Sequence, residues 1–256
     1  MDKSDETSNK TSKANESNSS QSRINPMTQC LWCEEKIEIA LTFSGLFLEK
    51  AKKEYICNTC MNRLEPVSNK HDQCGTCCKP SKDKQCQDCL KWKKIYPDYD
   101  FKHRSLFYYN HFAKEYMEKY KIMGDCELAL LFSSQLNNCF KSRLKDSVFI
   151  PIPISGKSLT VRGFNQVELL LENAGISYIR ALENISEEEK QAKKNKKERM
   201  EMKQPFVLKN GVESQLKGKN VILVDDLYTT GRTLFHAADS LKNCFPASIK
   251  TFSLFR

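Results

Sequence analysis

VILVDDLYTTGRTL, residues Val221–Leu234, is the most informative stretch of this chain. Four apolar residues lead directly into two adjacent carboxylates, Asp225 and Asp226, and then into a hydroxyl-rich turn around Gly231. The apolar run predicts a buried strand, and the residues after the turn predict a helix. In an open parallel sheet, ligands bind outside the carboxyl ends of the strands. We therefore expect the two carboxylates to lie at a binding edge.

The chain around this stretch alternates predicted strands and helices, which is typical of a parallel α/β sheet flanked by helices. The predicted strands are Ser147–Ser155, Ile176–Ala181, Phe206–Leu208, Val221–Val224 and 247–255. The predicted helices are Ser105–Met123, with an aromatic face that packs in the core, Glu127–Phe140, Asn165–Asn173 and 233–244. A polar turn containing Arg162 and Gly163 is predicted before the third helix.

The residue types around the turn suit one kind of ligand. Two neighbouring carboxylates, Asp225 and Asp226, can each accept a hydrogen bond from one hydroxyl of a vicinal diol. Backbone N–H groups at a helix N-terminus, together with threonine hydroxyls, can hold a phosphate. Gly231 allows the backbone to approach that phosphate closely. The stretch therefore predicts a site for a ribose 5-phosphate.

This stretch resembles the phosphoribosyltransferase signature, although Tyr228 is bulkier than the usual aliphatic residue. The resemblance implies that Asp225 and Asp226 hold the ribose hydroxyls of phosphoribosyl pyrophosphate (PRPP), and that they are the catalytic residues if the protein is an enzyme. It implies that Mg²⁺ accompanies PRPP. The remaining predicted PRPP-binding residues are Leu227, Tyr228, Thr229, Thr230, Gly231, Arg232 and Thr233. Two alternative interpretations of the acidic pair are a receiver-type domain and a dinucleotide-binding fold. A receiver-type acidic pair normally follows the first strand of its domain, and a dinucleotide-binding fold would carry a GxGxxG motif, which this sequence lacks.

A second informative stretch is IPIPISGKSLTVRGFNQVELL, residues 150–170. Its Arg162 could bind pyrophosphate, because a guanidinium forms forked hydrogen bonds with phosphate oxygens. The alternative is a basic loop before a capped helix. The PIP-ending strand, the RGFNQ motif, the acidic signature and a lysine-rich connector that ends in Glu198-Arg199 together resemble the ComF family. The resemblance extends from Cys30 to Arg256.

The family resemblance implies a cytoplasmic protein that binds PRPP and handles single-stranded DNA during natural transformation. It implies a ComFA-like translocase and a DprA-like loader as partners. Lys194 and Arg199 of the connector are further candidates for contacts with pyrophosphate or DNA, although lysines bind phosphate as point charges rather than as forks. A solvated run of charges is the alternative for this connector.

Four CxxC pairs precede the predicted sheet. Two such pairs can supply the four thiolates of a tetrahedral zinc site, so the four pairs predict two structural zinc ions. Sequential pairing is favoured because it closes shorter loops. The predicted ligands are Cys30, Cys33, Cys57, Cys60, Cys74, Cys77, Cys86 and Cys89. We predict a disordered tail at 1–28, a zinc-ribbon domain at 29–95 and a type I phosphoribosyltransferase-like domain at 104–256.

The composition narrows the function classes. The 256 residues carry a formal net charge of +9, which favours anionic partners such as nucleic acid. No secretory signal is recognisable, and no apolar run is long enough for a membrane span. No C-terminal hood follows the last strand, so the cysteine module or the helices after Ser105 would have to recognise a base. An active phosphoribosyltransferase of nucleotide salvage and a non-catalytic zinc-ribbon scaffold are the alternative functions.

Overall fold

A computed structural model describes residues 29–37, 54–67, 72–97, 100, 102–141, 146–186 and 204–256. The predicted tail at 1–28 and the connector residues Lys194 and Arg199 lie outside these ranges. The strands are β1 His103–Phe107, β2 Ser147–Pro151, β3 Leu182–Asn184, β4 Phe206–Leu208, β5 Asn220–Leu227 and β6 Ser248–Phe255. The α-helices are α1 Asn58–Met61, α2 Gln87–Ile95, α3 His111–Met117, α4 Ser133–Phe140, α5 Gly156–Arg162, α6 Gln166–Asn173, α7 Glu213–Leu216 and α8 Arg232–Leu241. A π-helical turn, Glu118–Ile122, extends α3, and 3₁₀ helices span Cys126–Phe132 and Lys242–Cys244.

Four strands form one parallel sheet in the order β1-β6-β5-β2. The two central strands β5 and β6 pair from Asn220 opposite Ser248 to Leu227 opposite Phe255. Strands β3 and β4 form a separate antiparallel pair. The predicted α/β fold, a parallel sheet flanked by helices and preceded by a cysteine-rich region, is confirmed.

Successive residues of β5 face opposite sides of the sheet, as the period of a strand requires. Ile222 and Val224 belong to one buried cluster, which includes residues of α3, α4 and α6. Val221 and Leu223 belong to a second buried cluster, which includes residues of α8. Each cluster also contains cysteines of the region before the sheet. The cysteine-rich region therefore packs against both hydrophobic layers of the domain.

The predicted helix Ser105–Met123 is wrong at its beginning. Residues 105–107 lie in β1, which pairs with β6, and the helix begins only after Asn110, whose side chain accepts a hydrogen bond from Ala113 N at 3.0 Å. Pairing with a distant strand overrides the local helical pattern here. The prediction that the aromatic face packs in the core is confirmed for Phe112, Tyr116 and Tyr120, which are buried, but Tyr109 of the same face is 41% exposed.

Four other elements differ from their predicted form or bounds. The polar turn at Arg162 is the last turn of α5, which Ser155 caps by accepting from Ser158 N. The predicted strand Ile176–Ala181 is wrong, because only Tyr178 forms an isolated bridge there. The segment Glu127–Phe140 begins as a 3₁₀ helix and becomes α-helical at Ser133. Strand β2 is also shorter than predicted, ending at its first proline. Across the described ranges, no helix has the length and apolar character to cross a membrane.

Candidate functional site

The two acidic residues lie at the carboxyl end of β5, as predicted. Asp226 is buried, and its Oδ2 accepts a hydrogen bond from the Nζ of Lys121 at 2.9 Å. Lys121 comes from the π-helical turn that extends α3. Asp225 is partly exposed, and its Oδ1 accepts a hydrogen bond from the backbone N–H of Asp226 at 2.9 Å. The pair thus offers one carboxylate that is held by a lysine and one that is held by a backbone N–H group.

The ionisation of Asp225 is perturbed. Burial, and secondarily the charge of Asp226, raise the pKa of Asp225 to about 8, against the opposing effect of Lys121. Two carboxylates in one site resist simultaneous ionisation. A ligand that supplies positive charge or hydroxyl donors would favour the ionised form of Asp225. Binding of such a ligand would therefore release a proton from Asp225.

The turn after β5 has a conformation that only glycine adopts easily. We call residues Tyr228–Gly231 the threonine loop; Thr229 and Thr230 are exposed, and Gly231 has φ of +83°. A Cβ at Gly231 would overlap the ring and hydroxyl of Tyr228, which is buried beneath it. Helix α8 begins directly after Gly231, with no side-chain cap. The first turn of α8 thus adjoins two exposed hydroxyl groups.

Arg162 contacts the acidic pair indirectly, because it binds the backbone of Lys121, whose side chain pairs with Asp226. Its Nε donates to the backbone oxygen of Lys121 at 3.0 Å, and its Nη1 donates to Gln166 Oε1. The neighbouring cavity has a volume of about 470 Å³. It is lined by Lys121, Ile122, Met123, Gly124, Lys157, Ser158, Val161 and Arg162. Three cationic side chains therefore line a cavity, and one of them, Lys121, also pairs with Asp226.

The eight predicted metal ligands form two groups of four. The first cysteine cluster is Cys30, Cys33, Cys57 and Cys60, and the second cysteine cluster is Cys74, Cys77, Cys86 and Cys89. All potential ligand atoms of a group lie within 4.8 Å of one another. The sulfur pairs Cys33–Cys57 and Cys77–Cys86 are each 3.6 Å apart. A tetrahedron with Zn–S bonds of about 2.3 Å requires about 3.8 Å between sulfurs, so both clusters fit a zinc ion.

The second cysteine cluster contacts the threonine loop. Arg256 donates from Nη2 to the sulfur of Cys77 at 3.2 Å and from Nε to the Cys77 carbonyl at 2.8 Å. Its Nη1 donates to the carbonyls of Tyr228 at 3.2 Å and Thr229 at 3.1 Å. A hydrogen bond from Cys89, and then the interaction with Arg256, lower the pKa of Cys77 to about 4 although burial opposes this shift. One guanidinium thus connects a metal ligand to the loop.

The structure brings together most of the predicted site. The acidic pair and the residues from Leu227 to Thr233 form one continuous edge, and Arg162 lies beside it through Lys121. The contacts of Lys121 and Arg256 with the site, and the position of Lys157 in the lining of the cavity, were not predicted from the sequence. Lys121 could have been suspected, because it follows the buried face of a predicted helix by one residue. The contacts of Arg256 join residues that are 179 positions apart and leave no local signal.

A four-stranded parallel sheet with two acidic residues and a threonine loop at one carboxyl end defines a phosphoribosyltransferase-type domain. In agreement, the phosphoribosyl transferase domain model matches residues 177–256. The chain is 36% identical over 228 residues to competence protein ComFC of Streptococcus pneumoniae (strain ATCC BAA-255 / R6), covering 89% of this chain and 100% of that protein. It is 35% identical over 233 residues to competence protein ComFC of Bacillus subtilis (strain 168), covering 89% and 94%. The chain therefore belongs to the ComFC family of competence proteins.

A solved structure of the allosteric regulatory enzyme of purine biosynthesis is also similar. The identity is 17%, the TM-score is 0.33, and the match covers 53% of this chain and 29% of that chain.

Proposed function

We propose that this protein binds PRPP together with Mg²⁺ at the carboxyl end of β5 and that it acts on single-stranded DNA during natural transformation. The observation that carries the proposal is the placement of Asp225, Asp226 and the threonine loop on one continuous edge. The ribose hydroxyls would be held by the two carboxylates, and the 5-phosphate by the loop and the first turn of α8. The cations Lys121, Lys157 and Arg162 would face the pyrophosphate.

Calorimetric titration with PRPP tests the ligand assignment. We expect binding in the presence of Mg²⁺ and no detectable binding for the double variant Asp225→Asn, Asp226→Asn. Asp239→Asn is the matched control, because Asp239 lies on α8, away from the acidic pair, and its side chain pairs with Lys242. An unchanged PRPP affinity in the double variant would contradict the assignment.

The DNA component rests on the cationic cavity and on the formal net charge of +9. Exposed Ile122, Met123 and Val161 border the same cations and offer apolar surface to nucleobases. We expect binding of single-stranded oligonucleotides that weakens steeply with salt, because bound phosphates release counterions. Lys157→Gln should reduce both the affinity and the slope with salt; Lys250→Gln, on β6, is the control. A gel shift that ionic strength does not alter would argue against this component.

Phosphoribosyl transfer is a second candidate activity, favoured by the free volume of about 470 Å³ beside the acidic pair. In that reaction an acceptor would displace pyrophosphate from the anomeric carbon, and the chain would act by orientation and charge stabilisation. Incubation of PRPP with bases and with nucleic acids, followed by measurement of pyrophosphate, tests it. Acceptor-dependent pyrophosphate release that the double aspartate variant lacks would support transfer; its absence with every acceptor would favour a ligand-binding role.

The two cysteine clusters are proposed to hold one structural zinc ion each, since their sulfur atoms fit that ion. The family resemblance extends the proposal to a cytoplasmic location and to a ComFA-like translocase and a DprA-like loader as partners. Co-purification of the loader with the intact protein, but not with a chelator-treated sample, would support the role of the clusters in these contacts.

A further inference from the structure

The threonine loop is held from the side of the cysteine-rich region at three consecutive carbonyl groups. Arg256 donates to the carbonyls of Tyr228 and Thr229, and Trp92 donates from Nε1 to the carbonyl of Thr230 at 2.7 Å. Carbonyl oxygens repel an anion. With these three oxygens bound to donors on the cysteine side, the loop cannot turn them towards a phosphate without losing those hydrogen bonds.

Both donors are themselves fixed by the second cysteine cluster. Arg256 contacts the sulfur and the carbonyl of Cys77, and its guanidinium lies 4.6 Å from the ring centre of Tyr228. Trp92 belongs to α2, which begins after Cys86 and contains Cys89. Its ring also stacks on Phe235 of α8 at 4.5 Å. Thus both donors depend on ligands of the same cluster.

The charges in this contact are complementary. Four thiolates around a divalent ion leave a formal charge of about −2 on the group. The guanidinium of Arg256 lies against one of those sulfurs and retains further donors for the loop. If the cluster lost its ion, its four sulfur atoms would no longer be held together. The contact of Arg256 with Cys77 would then change.

We propose that the second cysteine cluster sets the conformation of the threonine loop through Arg256 and Trp92, so that metal occupancy of this cluster and ligand binding in the loop are coupled. This inference rests on the proposed binding of PRPP. Arg256 and Trp92 are positioning residues, because they act through the loop backbone. Coupling between two sites is reciprocal, so bound PRPP should also retard loss of the metal from this cluster.

Two substitutions test the role of the donors. Arg256→Met keeps an unbranched side chain but removes its hydrogen bonds, and we expect PRPP affinity to fall about tenfold or more. Trp92→Phe keeps an aromatic ring on Phe235 but loses one N–H donor, and we expect a loss of roughly threefold to tenfold. Lys79→Met is the control, because Lys79 is a cation near the same cluster whose side chain pairs with Asp88 at 2.9 Å. PRPP affinities within twofold of that of the unmodified protein for both Arg256→Met and Trp92→Phe would overturn the proposal.

Metal release from the intact protein provides a readout that does not depend on any variant folding. A chromogenic chelator is added with and without PRPP, and release of zinc is followed in time. We expect two phases, of which PRPP slows only one. Equal release with and without PRPP, in a protein that binds PRPP by calorimetry, would overturn the coupling. Absence of PRPP binding in the unmodified protein would instead contradict the proposed function.

Discussion

The two cysteine clusters share a ligand set but support different parts of the molecule. In the first, Cys33 is exposed, and neighbouring Trp32 packs on Phe112 of α3 at 4.6 Å. In the second, all four cysteines are buried, and its neighbours bind the threonine loop. The first cluster therefore stabilises the helix that leads to Lys121, and the second stabilises the loop that follows the acidic pair. Similar cysteine pairs in a sequence thus serve two halves of one site.

The largest expected difference between the two clusters is the effect on PRPP binding when one cysteine ligand is lost. Cys74→Ser should remove the metal of the second cluster, which would forfeit on the order of 10 kcal/mol of metal-binding free energy, and should abolish PRPP binding. Cys33→Ser should remove one metal yet leave PRPP binding within about tenfold of the unmodified protein, because its cluster contacts α3 rather than the loop. Metal analysis with calorimetry measures both. Equal losses of PRPP binding in the two variants would break the comparison.

The half of the site that α3 supports can be tested at Lys121. Lys121→Met would leave the carboxylate of Asp226, whose side chain is only 4% exposed, without its cation. We expect the free energy of unfolding to fall by about 3 kcal/mol at neutral pH, because an unpaired buried charge is costly. Chemical denaturation measures this change. Adding Asp226→Asn should restore much of the stability; a double variant less stable than either single variant would contradict the pairing.

The raised pKa of Asp225 predicts how ligand binding depends on pH. Below about pH 8 the free carboxyl group is largely protonated, whereas a diol or a cation requires the ionised form. PRPP affinity should therefore rise about tenfold between pH 7 and pH 9, with proton release that diminishes above pH 8. Calorimetry in buffers of different ionisation enthalpy measures the released protons. An affinity that falls over this range would contradict the role of Asp225.

The same shift has a defined effect on stability. Because the folded-state pKa lies above that of the unfolded chain, the folded protein binds a proton that the unfolded chain does not bind between roughly pH 4 and pH 8. The contribution of Asp225 to stability must then decrease as pH rises through this window. Asp225→Asn should flatten that part of the stability profile, as chemical denaturation at several pH values would show.

The smallest effects are expected at the surface ion pairs beside the clusters. Arg63 pairs with Glu115 near the first cluster, and Lys79 pairs with Asp88 near the second, each at 2.9 Å. These side chains are between 38% and 48% exposed, so Arg63→Met and Lys79→Met should each cost less than about 1 kcal/mol of stability. Thermal unfolding measures both. A large loss at Lys79 would show that it supports the second cluster as Arg256 does.

The sequence was most informative where one short stretch carries both structure and chemistry. Val221–Leu234 predicts its strand, its acidic edge and its helix because all three depend on neighbouring residues. The order of the cysteine pairs was also predictable, since sequential pairing closes short loops. By contrast, Ser105–Phe107 follow a helical pattern and yet pair with β6. The contacts of Trp92 with Thr230 and of Arg256 with Cys77 join distant positions, so no local pattern announces them.

The packing of Tyr228 beneath Gly231 means that residue 231 can gain a side chain only if residue 228 also changes. A smaller side chain at 228 would free the volume that a Cβ at 231 needs, but the left-handed backbone at 231 would still disfavour most residues. A substitution at 231 therefore has two requirements. Residue 228 must be smaller, and the new residue at 231 must tolerate a positive φ, as asparagine does. Tyrosine at 228 therefore restricts which substitutions the turn can accept during divergence of the family.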